Sequence, residues 1–432
     1  MNISEFKNKY IAQGAFVKNS AVLFLGGMGV NVMNYVFHLV IGRQVDVRVY
    51  GEAESLISLI TIVSVPAATL TLVAAKYAAV CKADGNHHGS REIFAYLNRQ
   101  VLKYGLPVFL LALAATPLVG SFLKIKNNFA LIFIWIAMYL SFFNAVNSGL
   151  LQGWQQFWQV SLANLTVAGT KLTAAVVLVA AGFALTGIVG GMLLATVVGY
   201  LVTLSALRSK VMSGAEVEED HCKKTVDFQA LRRFVSPVFA GSLAINLLGY
   251  ADMVLAKRNL SDLEAGAYGA LTVTSKIIFF ATGVVASVLF SMSAENDHKG
   301  NSSRQMLGLA LLLVLGISGV STLIYFFFPK LILGILFGSK YAAAAPYLGW
   351  FALAVALYSV SNIIYQYLLS IRRTKVSYAL LGIALLALTG FLLFGHSIPE
   401  MLTVLIISQL AAVAVGIGFL IFNYQLSITN DQ

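Results

Sequence analysis

Runs of about twenty mainly apolar residues recur along the whole chain, each long enough to cross the hydrocarbon core of a bilayer. Such a chain has few folds open to it. Every backbone N–H and C=O inside lipid must be satisfied by the protein itself, which leaves helices and closed barrels. A spanning strand needs only about ten residues and alternates in polarity, so runs of this length read as helices. Composition agrees: 59% of residues are apolar and 11% charged, where a soluble domain carries about 25% charged residues. The expected fold class is an all-α polytopic membrane protein.

Setting apolar runs against polar breaks gives about twelve transmembrane helices, at roughly 19–42, 52–80, 101–123, 129–151, 159–182, 185–207, 234–257, 266–292, 306–328, 342–370, 376–395 and 400–423. The first run is too long for a signal-peptide core and reads as a retained span. Orientation follows from Lys and Arg in the loops. With the N-terminus inside, and charges within about four residues of a span end counted with the adjoining loop, nineteen of the 29 fall on the cytoplasmic side, eight outside and two within spans. Cytoplasmic loops carry such an excess. Both termini are therefore expected in the cytoplasm of a multi-pass cell (inner) membrane protein. The net charge of +11 is read as topology, with no nucleic-acid partner. Cys81 and Cys222 lie in or beside polar loops and argue for neither a disulfide nor a metal. The stretch "CKADGNHH" fits no zinc spacing, so no metal site is expected.

The polar stretch 208–233 follows six spans and divides the chain into a lobe at 1–207, a cytoplasmic linker and a lobe at 234–432. The halves echo one another. Tyr50-Gly51 returns as Tyr268-Gly269, and Ser141 and Asn144 return as Ser359 and Asn362, each 218 residues on. Asn31 and Tyr35 return as Asn246 and Tyr250, 215 residues on. Six spans per half put both halves in the same sense across the membrane, so the expected architecture is two parallel-repeat six-helix lobes around a central cleft.

Polar residues form stripes at about 100° per residue. Ser20, Gly27, Asn31, Asn34 and His38 share a face of the first span. Asn164 and Lys171 share one in the fifth, and Thr272, Lys276, Gly283 and Ser287 one in the eighth. Asn and Ser in such stripes serve as interhelical hydrogen-bond glue or as a lining for polar cargo. Lys276 and Lys171 stand near mid-membrane, where an ammonium costs about 2.5–3.5 kcal/mol on insertion scales. Two readings of Lys276 stay open: a substrate contact facing the cleft, or a pair with Asp252, itself a candidate coupling acid. The candidate substrate-binding set is Lys276, Lys171, Asn31, Asn34, His38, Thr272, Ser287 and Asn246. Pro66 and Gly283 stand at matching places in spans two and eight and are candidate hinges. Glu52 and Glu54, with Arg43, Asp46 and Arg48, are expected in a solvated network at the outer interface.

Twelve spans in two halves, "YGEA" opening span two and "GLLQGWQQF" between spans four and five resemble the polysaccharide flippases. Their superfamily also holds the multidrug/toxin extrusion exporters and the lipid II flippase. The resemblance implies a cleft lined by spans one, two, seven and eight and alternating access by rocking lobes. It further implies an undecaprenyl-pyrophosphate-linked oligosaccharide as substrate, carried to the outer leaflet for surface polysaccharide biosynthesis. Glycosyltransferases or a polymerase of the same pathway would be partners, besides membrane lipid. No cofactor is implied beyond coupling to a proton or sodium gradient. Drug exporters of the superfamily carry an acid in the first lobe's cleft, and the first span here has none; a cation-coupled multidrug exporter is the alternative. A membrane glycan polymerase or acyltransferase would need a large loop with clustered His, Asp or Arg, which the sequence lacks, so no enzyme is expected.

Overall fold

The computed structural model describes residues 25–213, 228–298 and 304–430. They are helical almost throughout. The first helices are α1 (Leu25–Gln44), α2 (Val47–Val63), α3 (Val65–Ala83) and α4 (His87–Gln100). A π-turn at Val101–Gly105 leads into α5 (Leu106–Ala114), α6 (Thr116–Phe122), α7 (Asn128–Gly153), α8 (Phe157–Ala180) and α9 (Ala184–Leu207). After the linker come α10 (Phe228–Asn259), α11 (Asp262–His298), α12 (Arg304–Phe327) and α13 (Pro329–Phe337). A 3₁₀ stretch, Ser339–Tyr347, then precedes α14 (Leu348–Ser370), α15 (Lys375–Phe394) and α16 (Ile398–Asn430). Among the described residues ten helices are long and apolar enough to span a membrane, or eleven if one bent pair counts as a span. The remaining expected span, 266–292, lies within α11. The protein is an all-helical multi-span membrane protein.

Two helix breaks have visible causes. The third span bends by 56° between Ala114 and Thr116, where Pro117 has no N–H to give the preceding turn. The second span breaks at Ser64, between α2 and α3, just ahead of Pro66. Gly283, by contrast, lies inside the uninterrupted α11.

The chain forms two compact units that do not follow its linear order. One holds residues 1–44, 66–120 and 126–227; the other holds 45–65, 121–125 and 228–432. Helix α2 and the short 121–125 segment thus belong with the second unit, and the boundary in the second span falls between Val65 and Pro66.

Within the first unit small residues bring helices close, as is common in lipid. A Cβ on Gly149 of α7 would lie 2.5 Å from the Thr71 carbonyl of α3. Asn144 and Asn147 of α7 meet Thr203 of α9 at 2.8 and 3.3 Å, the interhelical glue expected of such residues. In the second unit Tyr358 of α14 donates to the Ile245 carbonyl at 3.0 Å. Tyr325 of α12 donates to the Thr274 carbonyl at 3.1 Å, and Gln409 of α16 to the Leu248 carbonyl at 2.8 Å.

Helix α2 packs against both α10 and α11. A Cβ on Gly51 would lie 2.6 Å from the Gly266 nitrogen, and one on Gly266 would strike the Val47 carbonyl. Further along, Glu54 Cγ lies 3.2 Å from where a Gly269 Cβ would be. Contacts that advance together along both helices mean that α2 and α11 run side by side in the same direction. The two copies of the Tyr-Gly segment therefore touch.

Candidate functional site

Buried charge gathers within the second unit, around the α10–α11 hairpin. The hairpin's turn is written in the sequence: Ser261 Oγ accepts from the Glu264 N–H at 3.3 Å, and Glu264 accepts from the Ser261 N–H at 3.1 Å. This reciprocal capping starts α11 at Asp262. Lys257, in the last turn of α10, is thereby set against Asp262 and donates to its carboxylate. Lys257 is wholly buried, and its ammonium also lies 3.8 Å from Glu52 of α2. The Lys257 hydrogen bond, with Lys124 and Arg48 adding to it, holds the Asp262 carboxyl below the usual carboxylate range.

Deeper along the same helices, Tyr268, Thr272 and Lys276 follow at four-residue steps and share one face of α11. All three are buried. Lys276 sets its ammonium 3.6 Å from the centre of the Tyr250 ring of α10, a cation–π contact. Tyr268 donates to Asp252 at 3.0 Å. Asp252 and Glu54, 3% and 5% exposed, are the acids whose charge acts on Lys276. Among the described residues Lys257 pairs within 4.0 Å with Glu52 and Asp262, whereas Lys276 is acted on by the charge of Asp252 and Glu54. Thr272 Oγ1 is buried with no hydrogen-bond partner among them.

A second cluster lies within the first unit. Lys171 of α8 donates to Asn34 of α1 and sits 4.4 Å from the centre of the Phe37 ring. His38 stands edge-on to that ring, with centroids 5.2 Å apart. Asn31, three residues before Asn34, is exposed.

The predicted residues therefore fall into two groups: Lys276, Thr272 and Asp252 in one, Lys171, Asn34 and His38 in the other. Asn246 returns its amide to the Ser242 carbonyl of its own helix at 2.8 Å. The Ser287 side chain lies outside the described residues, as do Ser20 and Cys222. One expectation is corrected. Glu54 is buried and Glu52 only partly exposed, rather than both lying in a solvated network, because α2 packs against α10 and α11. Lys257, at the very end of the seventh expected span, was missed as a buried group. Its signal was the Ser-x-x-Glu pattern at 261–264, which starts a helix directly after it.

With the fold and these clusters in view, likeness to known proteins is informative. The family described as polysaccharide biosynthesis protein matches residues 16–296, more than half of the chain. The chain belongs to that family. No curated protein sequence matches it. Among solved structures, it is similar to an inward-facing multidrug resistance MATE family transporter of the MOP superfamily. The TM-score is 0.72 at 14% identity, over 94% of this chain and 99% of that one. An outward-facing MATE family transporter of the same superfamily gives 0.61 at 16% identity, over 97% and 96%. The lipid II flippase MurJ, in an inward closed conformation, gives 0.69 at 15% identity, over 95% and 87%. This polysaccharide biosynthesis family member thus has the fold of the MATE and MurJ transporters.

Proposed function

We propose that the chain is a transporter, not an enzyme, and that it moves an undecaprenyl-pyrophosphate-linked oligosaccharide from the cytoplasmic to the outer leaflet by alternating access. The observation that carries this reading is the polysaccharide biosynthesis family match across residues 16–296, on a fold whose solved examples are transporters. The physical demand is specific. A charged, hydrated head must cross about 30 Å of hydrocarbon while its polyprenyl tail stays in lipid. Polar groups at membrane depth lower that barrier, and the Lys171–Asn34 pair supplies cationic and amide donors for phosphate and sugar oxygens. Lys276 is given a different part. The two buried acids that act on it suit Lys276 to be their counter-ion rather than a receptor for pyrophosphate.

The same pair of acids favours a second reading, a cation-coupled exporter of cationic compounds. Removal of the gene separates the two. The flippase reading expects lipid-linked saccharide to accumulate in the cytoplasmic leaflet and surface glycan to be lost, with drug susceptibility unchanged. Unchanged surface glycan with raised drug susceptibility would replace it by the exporter.

A further inference from the structure

The buried ion pairs at the hairpin have an uneven construction that the substrate-handling proposal leaves unused. Lys257 has two acidic partners of different kinds. Asp262 lies five residues on in the same hairpin, and Glu52 comes from α2, a helix more than two hundred residues away in sequence. Removing the sole partner of a buried charge is strongly destabilising, because the charge left behind has neither water nor a counter-ion. Here that penalty is avoided. If Glu52 leaves, Asp262 still neutralises Lys257. Glu52, with a side chain 22% exposed, sits where water can take over its solvation.

Two further features of α2 suit a helix that departs and returns. Its closest approach to α11 is at Gly266, which meets the Val47 carbonyl and Cγ1 and faces Gly51, so two glycines keep that seam thin. Its far end is marked by the one-residue break at Ser64, ahead of Pro66, which cannot donate to the Ile62 carbonyl.

We propose that Lys257 is the catch of a reversible ionic latch. Glu52 docks α2 on the α10–α11 hairpin, and Asp262 holds the lysine's charge when α2 undocks. That α2 undocks as part of a working cycle rests on the transport reading; the latch itself does not.

The test reads docking directly. Ser55 is fully buried and lies one turn beyond Gly51 on the same face of α2. In full-length protein with Cys81→Ala and Cys222→Ala, reconstituted in nanodiscs that expose both membrane faces, Ser55→Cys reports undocking through its reaction rate with a hydrophilic maleimide. Glu52→Gln removes the charge that docks α2 and is expected to speed labelling several-fold, about the factor that a partly exposed ion pair contributes. Asp262→Asn removes the charge that makes undocking tolerable and is expected to slow labelling several-fold. Opposite signs are the signature of a latch. An ion-pair cluster that merely stabilises the fold would loosen with either change, so faster labelling in both variants overturns the proposal, as does a rate unchanged in both. Both replacements are close in size to the native side chains, and monodisperse elution of each reconstituted variant establishes that folded protein is compared. Absence of saccharide transport by the parent protein, with labelling as expected, would instead count against the flippase reading and leave the latch standing.

Discussion

Replacing Lys276 by alanine removes the cation whose charge acts on Asp252 among the described residues. The lysine is 9% exposed, lies 3.6 Å from the centre of the Tyr250 ring, and sits among two acids that are more deeply buried still. Stripping a buried ion pair of one partner costs about 3–5 kcal/mol. Lys276 acts on Asp252 by charge, and Tyr268 supplies a hydrogen bond to that acid, so the loss belongs at the lower end, about 3 kcal/mol, including whatever the cation–π contact adds. A change of about 1–2 kcal/mol already alters cellular abundance several-fold. Lys276→Ala is therefore expected to fall several-fold or more in membrane abundance and to melt earlier in detergent. The double variant Lys276→Ala/Asp252→Asn, which removes the stranded acid as well, should recover much of both, with a coupling of about 1–3 kcal/mol in a double-mutant cycle. Quantitative membrane blotting and thermal melting of the four proteins decide the matter. A single variant as abundant and heat-stable as the parent would refute the counter-ion argument and return Lys276 to the substrate.

Other consequences are open to simpler tests. Lys171→Met should cut transport by about tenfold with membrane abundance unchanged, and Lys171→Arg should retain part of it because the charge persists in a different geometry. Gly51→Val should sharply lower membrane abundance, because its Cβ would lie 2.6 Å from the Gly266 nitrogen, where backbone cannot yield; parental abundance would show that α2 does not pack there. The carboxyl of Asp262 titrates below its ordinary range because Lys257 bonds to it. Its stabilising contribution is therefore complete above the usual carboxylate pKa and is lost as pH falls through the lowered value. Melting temperature should drop less steeply on acidification in Asp262→Asn than in the parent, and parallel curves would contradict this. A cytoplasm-active reporter fused after Lys223 should be active and one after Lys126 silent, and the reverse pattern would invert the expected orientation.

The spans were legible because lipid imposes a length and an apolarity that few other folds demand. The repeat was legible through Tyr50-Gly51 and Tyr268-Gly269. The two Tyr-Gly pairs each face the other's helix: Gly51 meets the Gly266 backbone and Gly269 the Glu54 side chain, which explains why each position stays small. The packing of α2 was not legible. Nothing in "VYGEAESLISLITIV" says that it packs with helices written more than two hundred residues later, and so Glu52 and Glu54 read as surface charges. Lys257 was hidden for the same reason: its burial comes from α2 as well as from its own hairpin. Asn246 shows a different limit of the pattern, since a polar residue on a shared helical face can spend its side-chain donor on its own backbone.

The most direct test of the central claim is a leaflet assay. Purified protein is reconstituted into vesicles that hold an undecaprenyl-pyrophosphate-linked oligosaccharide in both leaflets, and an impermeant saccharide-modifying enzyme is added outside. The account predicts that the protein carries the protected inner pool to the enzyme, that Lys171→Met slows this step, and that protein-free vesicles keep the inner half protected. An inner pool that stays as protected with folded protein as without it, under a proton or a sodium gradient of either polarity, would contradict the account.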